Sequence, residues 1–198
     1  MKLWFYLLSF CSVLRATEPA RLNRTIELLE AGKPVFGIFS GNHSPANARA
    51  LAVTDLDHAL IDMEHHPFDA ERLRIMLLGM TDKQALIKKG NLQPNVTPFV
   101  RIPQNGRESL QFIVKQVLDV GAFGVMFPYV ETAEEARAAV AAMRYPQRSD
   151  TAPGERQPEG LRGFGSANGS WYWGLSVPEY VQRGDVWPLD PKGELLAM

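Results

Sequence analysis

Residues Leu60-Ile61-Asp62-Met63-Glu64-His65-His66-Pro67 place two carboxylates and two imidazoles directly after an apolar run. A buried strand leaving a sheet has this pattern, and in α/β proteins the C-terminal ends of strands carry the chemistry. Asp62 and His65 lie three residues apart. A carboxylate beside an imidazole orients its tautomer and raises its basicity, as a general base near neutral pH requires. The bland alternative is that Asp62 caps a neighbouring helix. A further polar group, Arg101, interrupts the apolar run Pro98-Phe99-Val100-Arg101-Ile102-Pro103. Arginine in such a run is costly unless paired. Its planar fork suits a carboxylate or enolate oxygen, or an internal salt bridge to Asp62 or Glu64. Glu64, His65 and His66 are of metal-ligand type. However, adjacent histidines on an extended segment point to opposite sides, and the spacing is not H-E-x-x-H. His66 is therefore expected not to be a ligand.

These side chains need a scaffold that ends several strands on one side. Apolar runs at Pro34–Phe39, His58–Met63, Pro98–Pro103 and Phe123–Pro128 read as strands, and Glu194–Met198 as the start of a fifth. Between them lie helical signals. Arg21–Ala31 spaces Leu22, Ile26 and Leu29 at helical intervals and stops at Gly32. Ser44-Pro45 gives an N-cap followed by proline at the first helical position, and Asp69 caps the next helix. Leu110, Ile113, Val114, Val117 and Leu118 line one helical face. Thr132 and Glu135 form a capping box for a helix through Met143. Residues 81–97 read as an exposed excursion, with Gln104-Asn105-Gly106 as a turn after the third strand. Residues 144–185 form a long polar stretch whose Trp171-Tyr172-Trp173 should pack.

Alternating strands and helices predict a parallel sheet. Strands that are apolar on both faces predict that helices cover it. A (β/α)₈ barrel accommodates all of this. A doubly wound sheet is the alternative, but no Gly-x-Gly-x-x-Gly follows the first strand, and Gly163-Phe164-Gly165 has no strand before it.

The 198 residues are 45% hydrophobic and 22% charged with net charge −1, which suits one globular domain. There is no basic block to serve as a nucleic-acid footprint. Cys11, the single cysteine, excludes an internal disulfide and any cysteine-based zinc site. Lys2 and the apolar run Leu3–Leu14 resemble a secretory signal peptide, too short to span a bilayer as a folded helix and followed by a poor cleavage site. Residues 1–20 are thus read as a leader and residues 21–198 as the domain. The protein is exported or periplasmic if the leader works, and cytoplasmic otherwise. No membrane contact beyond a leader anchor is expected.

Six stretches, in order and spacing, then carry a resemblance: Asp62-Met63-Glu64-His65; Val100-Arg101-Ile102-Pro103; Leu118–Val125; Glu131–Ala136; Arg144-Tyr145-Pro146; and Arg162-Gly163. Together they resemble the HpcH/HpaI aldolases, pyruvate-dependent aldolases of the metal-dependent class with a (β/α)₈ fold. The resemblance implies an aldol lyase that cleaves 4-hydroxy-2-oxo acids to pyruvate, or a related 2-oxo acid, and an aldehyde. It implies that His65 is the base, Asp62 its orienting partner, and Arg101 the contact to the enolate oxygen. It implies a divalent magnesium or manganese ion as Lewis acid, and a homo-oligomer.

Family ligands for that ion, a Glu ending the fifth strand and an Asp beyond the sixth, have no counterparts in these residues. No metal site is therefore assigned, and this chain alone is expected to bind none. A (β/α)₈ barrel typically needs about 250 residues, so the chain reads as a truncated, inactive fragment with an incomplete barrel. Two rival readings stand beside this one. The first is a non-catalytic exported binding or assembly module, motivated by the leader and by the sequons at Asn23, Asn42, Asn95 and Asn168. The second is a citramalyl or malyl thioester lyase on a similar barrel.

Overall fold

The computed structural model describes residues 20–103, 110–152, 154 and 156–198. The leader through residue 19, with Cys11, and the turn at Gln104-Asn105-Gly106 lie outside the described residues. The strands are β1 (Gly37–Ser40), β2 (His58–Asp62), β3 (Thr97–Arg101), β4 (Gly124–Met126), β5 (Val186–Trp187) and β6 (Leu195–Ala197). All pair in parallel in one sheet of order β1-β2-β3-β4-β6-β5. The helices are α1 (Arg24–Glu30), α2 (Pro45–Ala52), α3 (Ala70–Gly79), α4 (Lys83–Lys89), α5 (Leu110–Asp119), α6 (Ala133–Met143), α7 (Ala167–Trp173) and α8 (Val177–Arg183). A parallel neighbour needs a crossover connection, and α2, then α3 with α4, then α5 supply the first three. The consequence for function is simple: every strand ends on the same side.

The sheet is an open arc of barrel type. β1 and β5 form its two edges, and they do not pair. Buried residues on both of its faces join one core that includes Ile61, Met63, Phe99, Val100, Val125 and Leu195. At the β1 edge, Phe36, Ile38 and Phe39 remain exposed, as a sheet open at that edge requires.

The caps read from sequence are formed. Ser44 accepts from Asn47 N–H, Asp69 from Arg72 N–H, and Thr132 and Glu135 make the reciprocal capping box. Three stretches differ from expectation. Residues 81–97 contain α4, capped by Asp82 and ended by Gly90 at φ 69°. The helix is exposed or half-buried, but it closes its own hydrogen bonds, and the end of the segment, with Gln93, Val96 and Thr97, is buried. The polar stretch 144–185 carries α7 and α8. Of its three aromatics, Trp173 stacks on Phe123 with centroids 4.3 Å apart and donates Nε1–H to the Gly121 carbonyl at 2.8 Å. Trp171 stays exposed. The third difference is β5, a sixth strand beyond the expected four and the start of a fifth. It is only two residues long and is anchored by Val186↔Leu195 and Trp187↔Leu196, so its own sequence shows no period.

Two buried arginines tie the long segment to the core. Arg144 is bidentate on Asp185 at 2.7 and 3.1 Å. Arg162 reaches Asp119 at 2.9 Å and lies over the Tyr145 ring at 4.5 Å.

At the opposite side from the strand ends, buried Glu194 accepts the backbone N–H groups of Leu22 and Asn23 at 3.1 and 2.9 Å and pairs with Arg183. Asn23 caps α1 through its Oδ1, while its Nδ2 donates to the Glu194 and Phe123 carbonyls at 2.9 and 3.3 Å. Asn23 is fully buried, so its sequon cannot be glycosylated in this fold. Replacing Asn23 removes a cap and leaves buried carbonyls unpaired. Asn23→Ala should therefore lower the unfolding free energy by about 2–4 kcal/mol, measured by urea denaturation. A loss below about 1 kcal/mol would show that this junction does not hold the ends of the fold together.

Candidate active site

The register of the sheet brings Asp62 directly beside Arg101 at the C-terminal ends of β2 and β3. Arg101 Nε–H donates to Asp62 Oδ1 at 2.9 Å, and Nη1 stands 2.9 Å from Glu64 Oε2. Both carboxylates are buried. The guanidinium also lies over the Phe39 ring of β1, 4.9 Å from its centroid. Of the two sequence readings of Arg101, the internal salt bridge is therefore formed, and to both carboxylates. About a fifth of the Arg101 side chain remains solvent-accessible, so pairing does not seal the cation from a ligand.

The Asp62–His65 pair expected from the three-residue spacing is not formed. Glu64 N–H folds back onto Asp62 Oδ1 at 3.0 Å, a side-chain-to-backbone turn of the kind aspartate favours. The chain bends there. As a result His66, four residues on, reaches Asp62: its Nδ1 lies 3.2 Å from Oδ2. His65 instead points outward, 70% exposed, with Nε2 3.5 Å from Glu64 Oε2. The two imidazoles thus meet different carboxylates, His66 that of Asp62 and His65 that of Glu64.

Sequence reasoning missed one more imidazole. Buried His43, in the loop before α2, has its Nε2 3.0 Å from the Asp62 carbonyl. A carbonyl only accepts, so His43 carries its proton on Nε2. Burial pushes the His43 pKa down, more than the Asp62 carbonyl raises it, and the nearby His66 lowers it further. Its ring stands 5.9 Å from that of His66, tilted by 58°. An isolated His43 between Asn42 and Ser44 carries no sequence signal for this contact. Tyr129, after β4, adopts φ 59°, sparsely populated for a side-chain-bearing residue.

Burial alone would raise the Asp62 pKa. The Arg101 hydrogen bond, the Glu64 N–H and the His66 contact outweigh it and hold this carboxyl well below the usual range. Arg101 is raised in turn, first by its bond to Asp62. The site is thus a fixed anion–cation core flanked by imidazoles.

Among the described residues, no group of three or more His, Cys, Asp or Glu side chains could hold a metal ion. The donor set explains why. Asp62 spends both oxygens on Arg101, Glu64 N–H and His66, and Glu64 faces the Arg101 cation. A divalent ion does not fit here. No helix among the described residues is long and apolar enough to cross a membrane.

The model of the HpcH/HpaI aldolase/citrate lyase family matches residues 35–160. The 4-hydroxy-2-oxo-heptane-1,7-dioate aldolase of Shigella boydii is 34% identical over 157 residues, 79% of this chain and 50% of the relative. The hydroxypyruvate/pyruvate aldolase of Roseovarius nubinhibens is 31% identical over 163 residues, 82% and 53% of the two chains. The chain spans about half the length of these relatives. Among solved structures, an HpcH/HpaI aldolase/citrate lyase family protein from Burkholderia cenocepacia superposes with TM-score 0.61 at 28% identity, covering 88% of this chain and 58% of the other. An HpcH/HpaI aldolase from Desulfitobacterium hafniense gives 0.59 at 26% identity, with 90% and 56% coverage. With the motif order, the parallel arc and the strand-end site in agreement, the chain belongs to the HpcH/HpaI aldolase/citrate lyase family.

Proposed function

We propose that this chain supplies the enolate-binding and proton-transfer groups of an aldol lyase that cleaves 4-hydroxy-2-oxo acids to pyruvate, or a related 2-oxo acid, and an aldehyde. One observation carries the reading. A partly accessible Arg101 is fixed between two buried carboxylates at the strand ends, with imidazoles alongside. An arginine held this rigidly offers preorganised positive charge where an enolate oxygen develops, and preorganisation is the larger part of such stabilisation. Asp62 and Glu64 keep the fork oriented. His65, the exposed imidazole, occupies the family's base position and takes the proton of the 4-hydroxyl group. The names of both relatives support a 2-oxo acid as the substrate class. The family's Lewis-acid ion, magnesium or manganese, finds no ligand set among the described residues.

Oxamate, a stable isostere of the pyruvate enolate, tests the arginine's role. The full chain should bind it, and Arg101→Lys, which keeps the charge but loses the fork, should bind about tenfold more weakly. Titration calorimetry reads both. Undiminished binding in Arg101→Lys, or no binding by the parent chain, overturns the assignment.

Asp62 must stay ionised throughout the working range, and its lowered pKa has a defined signature. A carboxyl depressed in the folded state contributes stability that is fully present above its unfolded value, about 3.9. That contribution is lost as pH falls through the folded value. Asp62→Asn should be less stable than the parent chain near neutral pH, and the difference should shrink below about pH 4. Urea unfolding at stepped pH measures it. A gap that persists undiminished to pH 2 would mean that the carboxylate's charge is not what stabilises the site.

A further inference from the structure

His66 is not explained by the roles given so far. Its Nδ1 faces Asp62 Oδ2 at 3.2 Å. The carboxylate is an acceptor, so Nδ1 carries a proton, and in the neutral ring Nε2 holds the lone pair. Among the described residues Nε2 has no hydrogen-bond partner, and the side chain is 43% exposed. This is the tautomer a general base needs.

The backbone makes room for that ring. A Cβ built on Gly41 would lie 2.0 Å from His66 Cε1 and 2.1 Å from Nε2. Gly41 is not among the glycines at positive φ, so alanine could adopt its backbone conformation. What the missing side chain provides is space for the imidazole. His43 closes the other side: it is tied to the Asp62 carbonyl and tilted against the His66 ring. Three residues from two strand ends therefore converge on a single imidazole.

Asp62 also links this ring to Arg101. Oδ1 accepts from the guanidinium and Oδ2 faces the imidazole, so a 2-oxo acid held at Arg101 lies beside His66. We infer that His66 is a second proton-transfer residue of the site, acting at the carbon next to the 2-oxo group, with Gly41 and His43 as its positioning residues. This rests on the aldol lyase reading above. In the enolising direction a proton leaves the methyl carbon of the 2-oxo acid for Nε2. The C–H electron pair becomes the C2=C3 double bond. The carbonyl π pair moves onto the oxygen beside Arg101, and Asp62 balances the imidazolium. In cleavage His66 enters with Nε2 protonated from solvent and gives that proton to the enolate carbon, where the C2=C3 π pair forms the new C–H bond and the charge on oxygen closes the carbonyl. The reaction has two proton transfers, one at the 4-hydroxyl and one at this carbon, and two imidazoles divide them.

Two measurements on the full chain decide the matter. Nitrogen-15 spectroscopy of the histidines should find His66 protonated on Nδ1 alone, and both Gly41→Ala and Asp62→Asn should release it to a mixture of tautomers while His65 is unchanged. Exchange of pyruvate methyl protons in D₂O should fall about a hundredfold in His66→Gln and comparably in Gly41→Ala. The double variant should be no slower than His66→Gln, because Gly41 acts only through the ring. Tautomer mixing in the parent chain overturns the inference. So do Gly41→Ala spectra like the parent's, multiplying losses in the double variant, or exchange at the buffer rate in a chain that binds oxamate. Failure to bind oxamate refutes the aldol lyase reading instead, and the tautomer measurement still shows whether Asp62 and Gly41 hold His66.

Discussion

The site depends on the pairing of Asp62 with Arg101 across two parallel strands. Residues in register on adjacent strands are neighbours by construction, so the ladder itself delivers the contact. An unpaired arginine or carboxylate at this depth would be expensive, whereas paired and hydrogen-bonded the two tolerate burial. The pairing also sets the direction of everything nearby. Because Asp62 has two oxygens, one anchors the cation and the other is left to aim an imidazole. Because Glu64 shares the guanidinium, the fork cannot swing away. Phe39 from β1 covers its face. Three consecutive strands thus converge on one charged group.

Much of this was legible in the sequence, for definite reasons. The first four strands show because their sequences are apolar nearly throughout. The caps at Ser44, Asp69 and Thr132 show because cap chemistry is local. Arg101 stood out because it breaks an apolar run. What stayed hidden depends on contacts distant in sequence. β5 is two residues held by a neighbour. α7 exists because Trp173 has Phe123 to stack on, 50 residues earlier. In the site itself, the choice of His66 over His65 turns on one backbone N–H folding onto Asp62. Residue spacing along an assumed extended chain cannot anticipate that bend.

Gly41 illustrates how a position without a side chain can be specific. Glycine in a loop usually reads as a turn requirement, and here the dihedrals make no such demand. The constraint comes from a ring that belongs to another loop. Such a position looks permissive by local rules and is restrictive through its neighbour, so its effect shows only when the two residues are considered together.

The junction between Asn23 and Glu194 has a consequence for how the chain acquires its shape during synthesis. The two residues are 171 positions apart, and α1 receives its N-terminal partners only when Glu194 has been made. At ribosomal speeds of about 5–20 residues per second, that interval is on the order of ten to thirty seconds. Throughout it the first helix has its cap but no anchor, and β4, once made, has β3 on one side and no strand on the other. The nascent chain is thus committed to a late, long-range closure, the step at which contact-poor intermediates are most exposed to capture by chaperones or by one another.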